Sequence, residues 1–264
     1  MKYGVDRGEV LRYLGYAGQA MEPALYDRID GIIERCEREL DPKSTVAYFD
    51  VEVHGGSDAA SAERGEASAA DDLPRCGAKA GDAGRAVRGR SESAPYVDVL
   101  GASLRLDGFD IVEHLRGARG CALLACTLGA KSEQELARLK VSSPLDALVY
   151  DAACSALVER VADATEAQIV AQAAQQHLYA NWRYSPGYGD LPLSVQPRFL
   201  AVLRAFETMG LSVTDTDLLL PTKSVTAVVG LFEDPPAGEK PRSCGSCHMK
   251  EFCAIRAAGK VCHG

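Results

Sequence analysis

Cys121-Ala-Leu-Leu-Ala-Cys126 is an unbroken apolar run that ends in Thr127-Leu128-Gly129. A short run without polar alternation, closed by a turn signal, reads as a strand buried on both faces. Cys121 and Cys126 then pack inside it as small hydrophobes. Upstream, Ser44–Val53 follows Pro42 and is rich in β-branched and aromatic residues, as a strand is. Shorter strands are expected at Tyr96–Leu100 and Ser103–Leu106, and a last one at Ser224–Phe232.

Helical signals separate these runs. Asp6 followed by Glu9 gives a capping-box-like start, with Val10, Leu11 and Leu14 as an apolar stripe. Pro23 sits in the first turn of a second helix carrying Leu25, Ile29, Ile32 and Ile33 at spacings of three and four. A short helix is expected from Asp110, another from Ser132, and a long one from Pro144 towards His177. One more is expected from Ser194 to Met209, with Gly210 at its C-terminal cap. Strands and helices do not alternate regularly, so the fold class is α+β rather than doubly wound α/β.

Two segments stand apart from this folded body, which takes residues 1–233. Residues 55–95 are mostly Ala, Gly, Ser, Asp and Arg, with Leu73 and Val87 as the large aliphatics, so they read as a disordered insertion containing Cys76. Residues 240–264 form a short Cys-rich tail.

The chain has 264 residues, with 29 Lys+Arg against 37 Asp+Glu and a formal net charge of −8. That balance argues against a partner with a phosphate backbone, so no nucleic acid is expected. No apolar run approaches the roughly 20 residues that span a bilayer, and the polar amino terminus shows no leader, so a cytoplasmic protein without a membrane partner is expected. Nine cysteines are then thiols or metal ligands rather than a disulfide framework.

The segment richest in chemical information is Arg183-Tyr-Ser-Pro-Gly-Tyr188-Gly-Asp-Leu-Pro192. Two glycines and two prolines within seven residues specify a fixed, irregular backbone. Arg183 supplies a planar fork suited to a carboxylate, and Tyr188 an aromatic face. Taken alone, the segment reads first as a structural turn. Asp190 reads as capping the turn before the 194–209 helix. His54, His114 and His177 lack metal spacing, and Trp182 is expected to pack rather than bind.

With its flanks, the chain resembles the activation domain of cobalamin-dependent methionine synthase in a short stand-alone form. The resemblance rests on Arg183-x-x-x-Gly187-Tyr188, extended through Gly189-Asp-Leu-Pro-Leu193, Gly210, Val213-Thr-Asp-Thr216 and Pro221-Thr-Lys-Ser-Val-Thr226. Upstream it rests on Leu11-Arg-Tyr-Leu-Gly-Tyr16, Thr127-Leu-Gly129 and Asp151-Ala-Ala-Cys-Ser-Ala-Leu-Val-Glu159, so that it covers most of residues 5–233 outside the insertion. It implies a twisted, mainly antiparallel sheet with flanking helices that binds S-adenosylmethionine. Arg183 would hold the methionine carboxylate, and backbone at Ser185 and Gly187 with the ring of Tyr188 would border the adenosine. Glu159 would be the acid facing the ligand, with Asp151, two turns earlier on the same helix, bordering the same groove. An aspartate that full-length enzymes supply from their amino-terminal strand region has no clear match. Lys223 and Ser224 read equally as ligand or partner contacts and as a strand-start turn.

The activity implied is reductive reactivation. S-adenosylmethionine is presented to cobalamin on a corrinoid-binding methionine synthase or other corrinoid protein, while a flavodoxin-like donor supplies one electron. The chain is not a complete methionine synthase, and no catalytic triad or general base is expected. In the tail, Cys244, Cys247, Cys253 and Cys262 have the count that zinc or an iron–sulfur cluster requires. Alternatives left open are an activator of other corrinoid methyltransferases through an iron–sulfur tail, a non-enzymatic metal-binding interaction module, and an independent methyltransferase. Against the last, no glycine-rich loop follows an early strand.

Overall fold

In the computed structural model the described residues are 3–16, 18–55 and 94–236. The 56–93 part of the expected insertion and the Cys-rich tail lie outside them.

The chain begins with α1 (Arg7–Tyr13), whose N-terminus is capped by the Asp6 carboxylate accepting the Glu9 N–H at 3.3 Å. α2 (Pro23–Glu39) has Pro23 in its first turn and buries Ile29, Ile32, Ile33 and Cys36 along one face. Strands β1 (Lys43–His54), β2 (Tyr96–Val99) and β3 (Leu104–Asp107) follow, then α3 (Phe109–His114) and β4 (Gly120–Thr127). Helices α4 (Ala130–Ser142) and α5 (Pro144–Gln175) lead to β5 (Tyr179–Ala180), α6 (Gln196–Val202), α7 (Ala205–Met209), β6 (Ser212–Val213), β7 (Leu219–Leu220) and β8 (Ser224–Phe232).

Six strands form one antiparallel sheet in the order β3-β2-β1-β4-β8-β5, and β6–β7 make a separate hairpin. β1 is shared between two neighbours: Lys43–Asp50 pair with β4, whereas Val51–His54 pair with β2. The sheet curls from there. Val97, Val99, Leu104 and Leu106 of the outer strands join Cys121, Leu123 and Ala125 of β4 and Phe199 of α6 in one core. On the opposite face Ala122, Leu124, Cys126, Ala227 and Val229 pack against α2 and α5. All eight residues of β4 are buried, as its continuous apolar run requires.

The α+β architecture agrees with the sequence, and most boundaries fall within two or three residues of expectation. One expected element differs in form, and the two-residue strands β5, β6 and β7 were not expected. The helix expected over Ser194–Met209 is a 3-10 turn (Leu193–Val195) followed by α6 and α7, broken where Arg204 turns left-handed at φ 50°. Leu203 and Ala205 are both buried. Residues two apart on a continuous helix point about 200° from one another. The break turns both towards the same core, at the expense of a strained Arg204. Gly210 does cap the segment in the left-handed region, φ 69°.

Four described cysteines, Cys36, Cys121, Cys126 and Cys154, are free and buried. Burial pushes the Cys121 thiol up to about 12 and that of Cys126 to about 11. They are apolar packing groups, as their sequence context indicates.

Leu124 is wholly buried between β4's neighbours and the helical layer. Leu124→Ala is expected to destabilise the fold by about 3 kcal/mol. The check is a lowered urea midpoint with an unchanged slope.

Candidate functional site

α5 supplies one wall of the site. Its 32 residues present Ala153, Leu157, Val161 and Ala162 to the sheet, all buried. The small alanines let the helix lie close against β4 and β8. On a neighbouring side, Asp151, Ser155, Glu159, Asp163 and Glu166 follow one another at helical spacing and form a polar stripe. Two cations from other elements meet it. Lys223, just before β8, places Nζ 2.9 Å from Asp151 Oδ1 and 2.8 Å from Ser155 Oγ. Arg183 donates from Nη2 to Glu159 at 2.7 Å, and from Nη1 to Asp163 at 2.6 Å and Glu166 at 2.7 Å. Asp151 and Asp163 are twelve residues apart, so the stripe between the two cations is about 18 Å long.

Arg183 is largely buried, with 12% of its side chain exposed. Burial by itself would lower its guanidinium pKa. The hydrogen bond and charge of Asp163, then the charges of Glu166 and Glu159, hold it above the ordinary value. Glu166 fixes the residue twice, because its other oxygen accepts the Arg183 backbone N–H at 2.9 Å.

The loop after Arg183 is tied at several points. Tyr184 exchanges both backbone hydrogen bonds with Val228 of β8, each 2.8 Å, and so extends the sheet edge begun by β5. Gly187 N–H donates to Leu191 C=O at 2.8 Å. Gly187 has φ 92°, and a Cβ there would press on Leu193. At Gly189, φ 52°, a Cβ would collide with the Asp110 carboxylate and the Tyr184 hydroxyl. Asp190 was expected to cap the segment that follows it. It caps α3 instead, accepting the N–H groups of Phe109 at 2.6 Å and Asp110 at 3.0 Å. Eighty residues of sequence separate these partners, and no local signal joins them.

Ser185 is half-buried, while Gly187 and Tyr188 are exposed, the Tyr188 side chain openly so. Arg183 and Glu159 are thus in direct contact, and Ser185, Gly187 and Tyr188 follow Arg183 on the outer side of β8. Asp151 faces Lys223 at the far end of the same stripe. Ser224 Oγ is held by Thr127 Oγ1 and Pro221 C=O, at 2.8 and 2.7 Å, which is the strand-start turn. Trp182 packs edge-on to His114, ring centroids 5.4 Å apart.

Asp163, Glu166 and Asn181 were not singled out from the sequence. Continuing the helical spacing beyond Glu159 reaches the first two. Asn181 is buried, and its amide joins the Gly230 N–H to the His114 C=O, at 2.7 and 2.8 Å, stitching α3 to β8. Its role follows from a contact that spacing does not show.

A cavity of about 320 Å³ lies elsewhere, lined by Tyr48, Asp50, Arg119, Gln172 and Gln176 near the C-terminal end of α5. A second, of about 250 Å³, lies between α2 and α4 beside Tyr150. Neither cavity is lined by Arg183, Glu159, Gly187 or Tyr188. Among the described residues no group of three His, Cys, Asp or Glu side chains is placed to hold a metal ion, and no helix is long and apolar enough to cross a membrane.

This architecture, a curled antiparallel sheet with flanking helices, matches in fold a solved MetH reactivation domain. The chain is similar to a solved structure described as the MetH reactivation domain bound to AdoHcy, with a TM-score of 0.53 over 96% of this chain and 81% of that one, at 11% sequence identity. A scan of family models gives no match. A search of curated proteins gives none either.

His114 lies at the junction of α3, Trp182 and Tyr184, with Nε2 buried and without a hydrogen-bond partner. Burial lowers its pKa to about 4, although backbone groups of Trp182 and Val228 pull it back up. The unfolded chain takes up this proton near pH 6.5, the folded chain only near 4, so stability is present above 6.5 and is lost as pH falls towards 4. Between pH 6.5 and 5 the loss is about 2 kcal/mol. Urea titrations at the two pH values check this: His114→Phe should flatten the difference, and an unchanged difference would exclude His114 as its source.

Proposed function

We propose that this chain binds S-adenosylmethionine in the groove between α5 and the outer edge of β8. There it presents the sulfonium methyl group to cobalamin carried by a corrinoid-binding methionine synthase, or another corrinoid protein, on a separate chain. The observation that carries this reading is the Arg183 fork, set against the α5 acids at the root of the loop bearing Gly187 and Tyr188.

The residue chemistry fits the ligand. A guanidinium suits the carboxylate, and Glu159 is a counter-charge for the ammonium. The exposed backbone at Gly187, without a side chain beyond Cα, admits close approach by a nucleoside, and the Tyr188 ring offers a face to its base. In a protein that binds AdoHcy on the same fold, the product of methyl donation is the ligand. The reaction would reduce cob(II)alamin by one electron from a flavodoxin-like donor and trap the reduced cobalt by methyl transfer. This chain's share is binding and orienting the sulfonium, with no nucleophile or general base of its own.

The binding test uses calorimetry with S-adenosylmethionine and S-adenosylhomocysteine. Arg183→Lys keeps the charge and loses the planar fork, so it should weaken both by about tenfold or more. With a cob(II)alamin-loaded corrinoid protein and a reductant, S-adenosylmethionine should give methylcobalamin with the wild type. Absence of methylcobalamin, or an undiminished yield with the variant, counts against the proposal.

The tail cysteines Cys244, Cys247, Cys253 and Cys262 lie outside the described residues, and we propose that they bind zinc or an iron–sulfur cluster. Anaerobically purified protein should carry stoichiometric zinc, or iron with visible charge-transfer absorption, that Cys247→Ser removes. Metal-free protein would refute this assignment.

A further inference from the structure

The three carboxylates around Arg183 are not equivalent. Glu166 is 16% exposed and holds both the backbone N–H and Nη1 of Arg183. Moving it would strip the arginine of its anchor. Glu159 and Asp163 are far more open, at 43% and 45%. Asp163 alone of the two is paired with a second cation: Arg160 Nη1 lies 3.7 Å from its Oδ2, one turn back on α5, with 48% of that side chain exposed. Asp163 thus stands between two cations, hydrogen-bonded to one and within ion-pair distance of the other. A change of rotamer towards Arg160 keeps its charge paired and releases one N–H of Arg183 Nη1, the other staying with Glu166.

We infer that Asp163 is an internal stand-in for a ligand carboxylate: it holds the Arg183 fork in its binding geometry and is exchanged towards Arg160 when the carboxylate of an amino-acid ligand arrives. The inference rests on the reading of Arg183 given above and adds the residue that sets the affinity and specificity of that site. Without such an exchange, an incoming carboxylate would have to share Nη1 and Nη2 with three others. Exchange leaves the charge opposite the fork unchanged, and no covalent bond is made or broken.

Glu159 stays in place in this scheme. Three carboxylates against the guanidiniums of Arg183 and Arg160 leave one negative charge in excess at the site. That excess attracts the ammonium of a zwitterionic ligand and disfavours a ligand that carries a carboxylate alone. The site therefore selects an α-amino acid head group, not merely an anion.

The experiment titrates S-adenosylhomocysteine and methylthioadenosine, which lacks the amino-acid head group, into wild type, Asp163→Asn and Arg160→Gln. Asp163→Asn should bind S-adenosylhomocysteine about tenfold more tightly, because a competing charge-assisted hydrogen bond is gone. Its affinity for methylthioadenosine should not change. Arg160→Gln removes the alternative partner and should weaken S-adenosylhomocysteine binding severalfold. Equal tightening towards both ligands overturns the inference. So does unchanged or weaker S-adenosylhomocysteine binding by Asp163→Asn when the wild type binds, a result that leaves the assignment of the site standing. If neither wild type nor Asp163→Asn binds S-adenosylhomocysteine, the assignment of the site fails as well.

Discussion

Water reaches neither face of β4, and the rest of the molecule is arranged around that constraint. Eight consecutive buried residues need cover on two sides, which a flat antiparallel sheet with one wet face does not provide. α2 and α5 cover one side. The other is closed by the sheet itself, curling through the shared strand β1 so that β2 and β3 fold over, with α3 and α6 completing the layer. The gain is the apolar area of a whole strand, at about 25 cal/mol per Å².

Covering β4 also sets the acidic stripe of α5 against the edge of the sheet. α5 must lie along β4 and β8 to bury its alanine-rich face, and this turns its acidic stripe towards the outer edge of β8. A cation is then needed where the acids meet the sheet edge, and Lys223 arrives there at the start of β8 while Arg183 arrives beside its middle, next to the Tyr184–Val228 bridge. Ion pairs with this degree of burial contribute little net stability against their desolvation cost. What they supply is position: each guanidinium N–H that is engaged fixes the plane of the fork.

The parts of this arrangement legible in the sequence are those with local signatures. The apolar run at 121–126, the periodicity of α2 and the length of α5 each announce an element within one window of residues. The Arg183–Tyr188 segment announces an irregular loop by its glycines and prolines. Three features escaped because their causes are distant in the chain. Arg204 breaks the helix to serve the packing of Leu203 and Ala205, against a propensity that favours continuation. The two-residue strands β5, β6 and β7 are too short to show alternation and exist through their partners. Asp190 looks like a cap for the next helix, yet the N-terminus it reaches is that of α3. The site divides the same way. Arg183 is legible from its loop, while the company of Asp163 and Glu166 comes from the docking of α5 against the sheet.

The loop from Arg183 to Leu193 is joined to β8 through Tyr184, to α5 through Glu166, and to α3 through Asp190. A segment restrained from three directions has surrendered its backbone freedom during folding, a loss of roughly 1–2 kcal/mol for each residue ordered. Little of that entropy is left to lose when a small molecule settles on it. Association of the proposed ligand with such a frame would take the thermodynamic form of a rigid encounter: a heat-capacity change set by the apolar area covered, and a rate governed by diffusion rather than by closure of the chain.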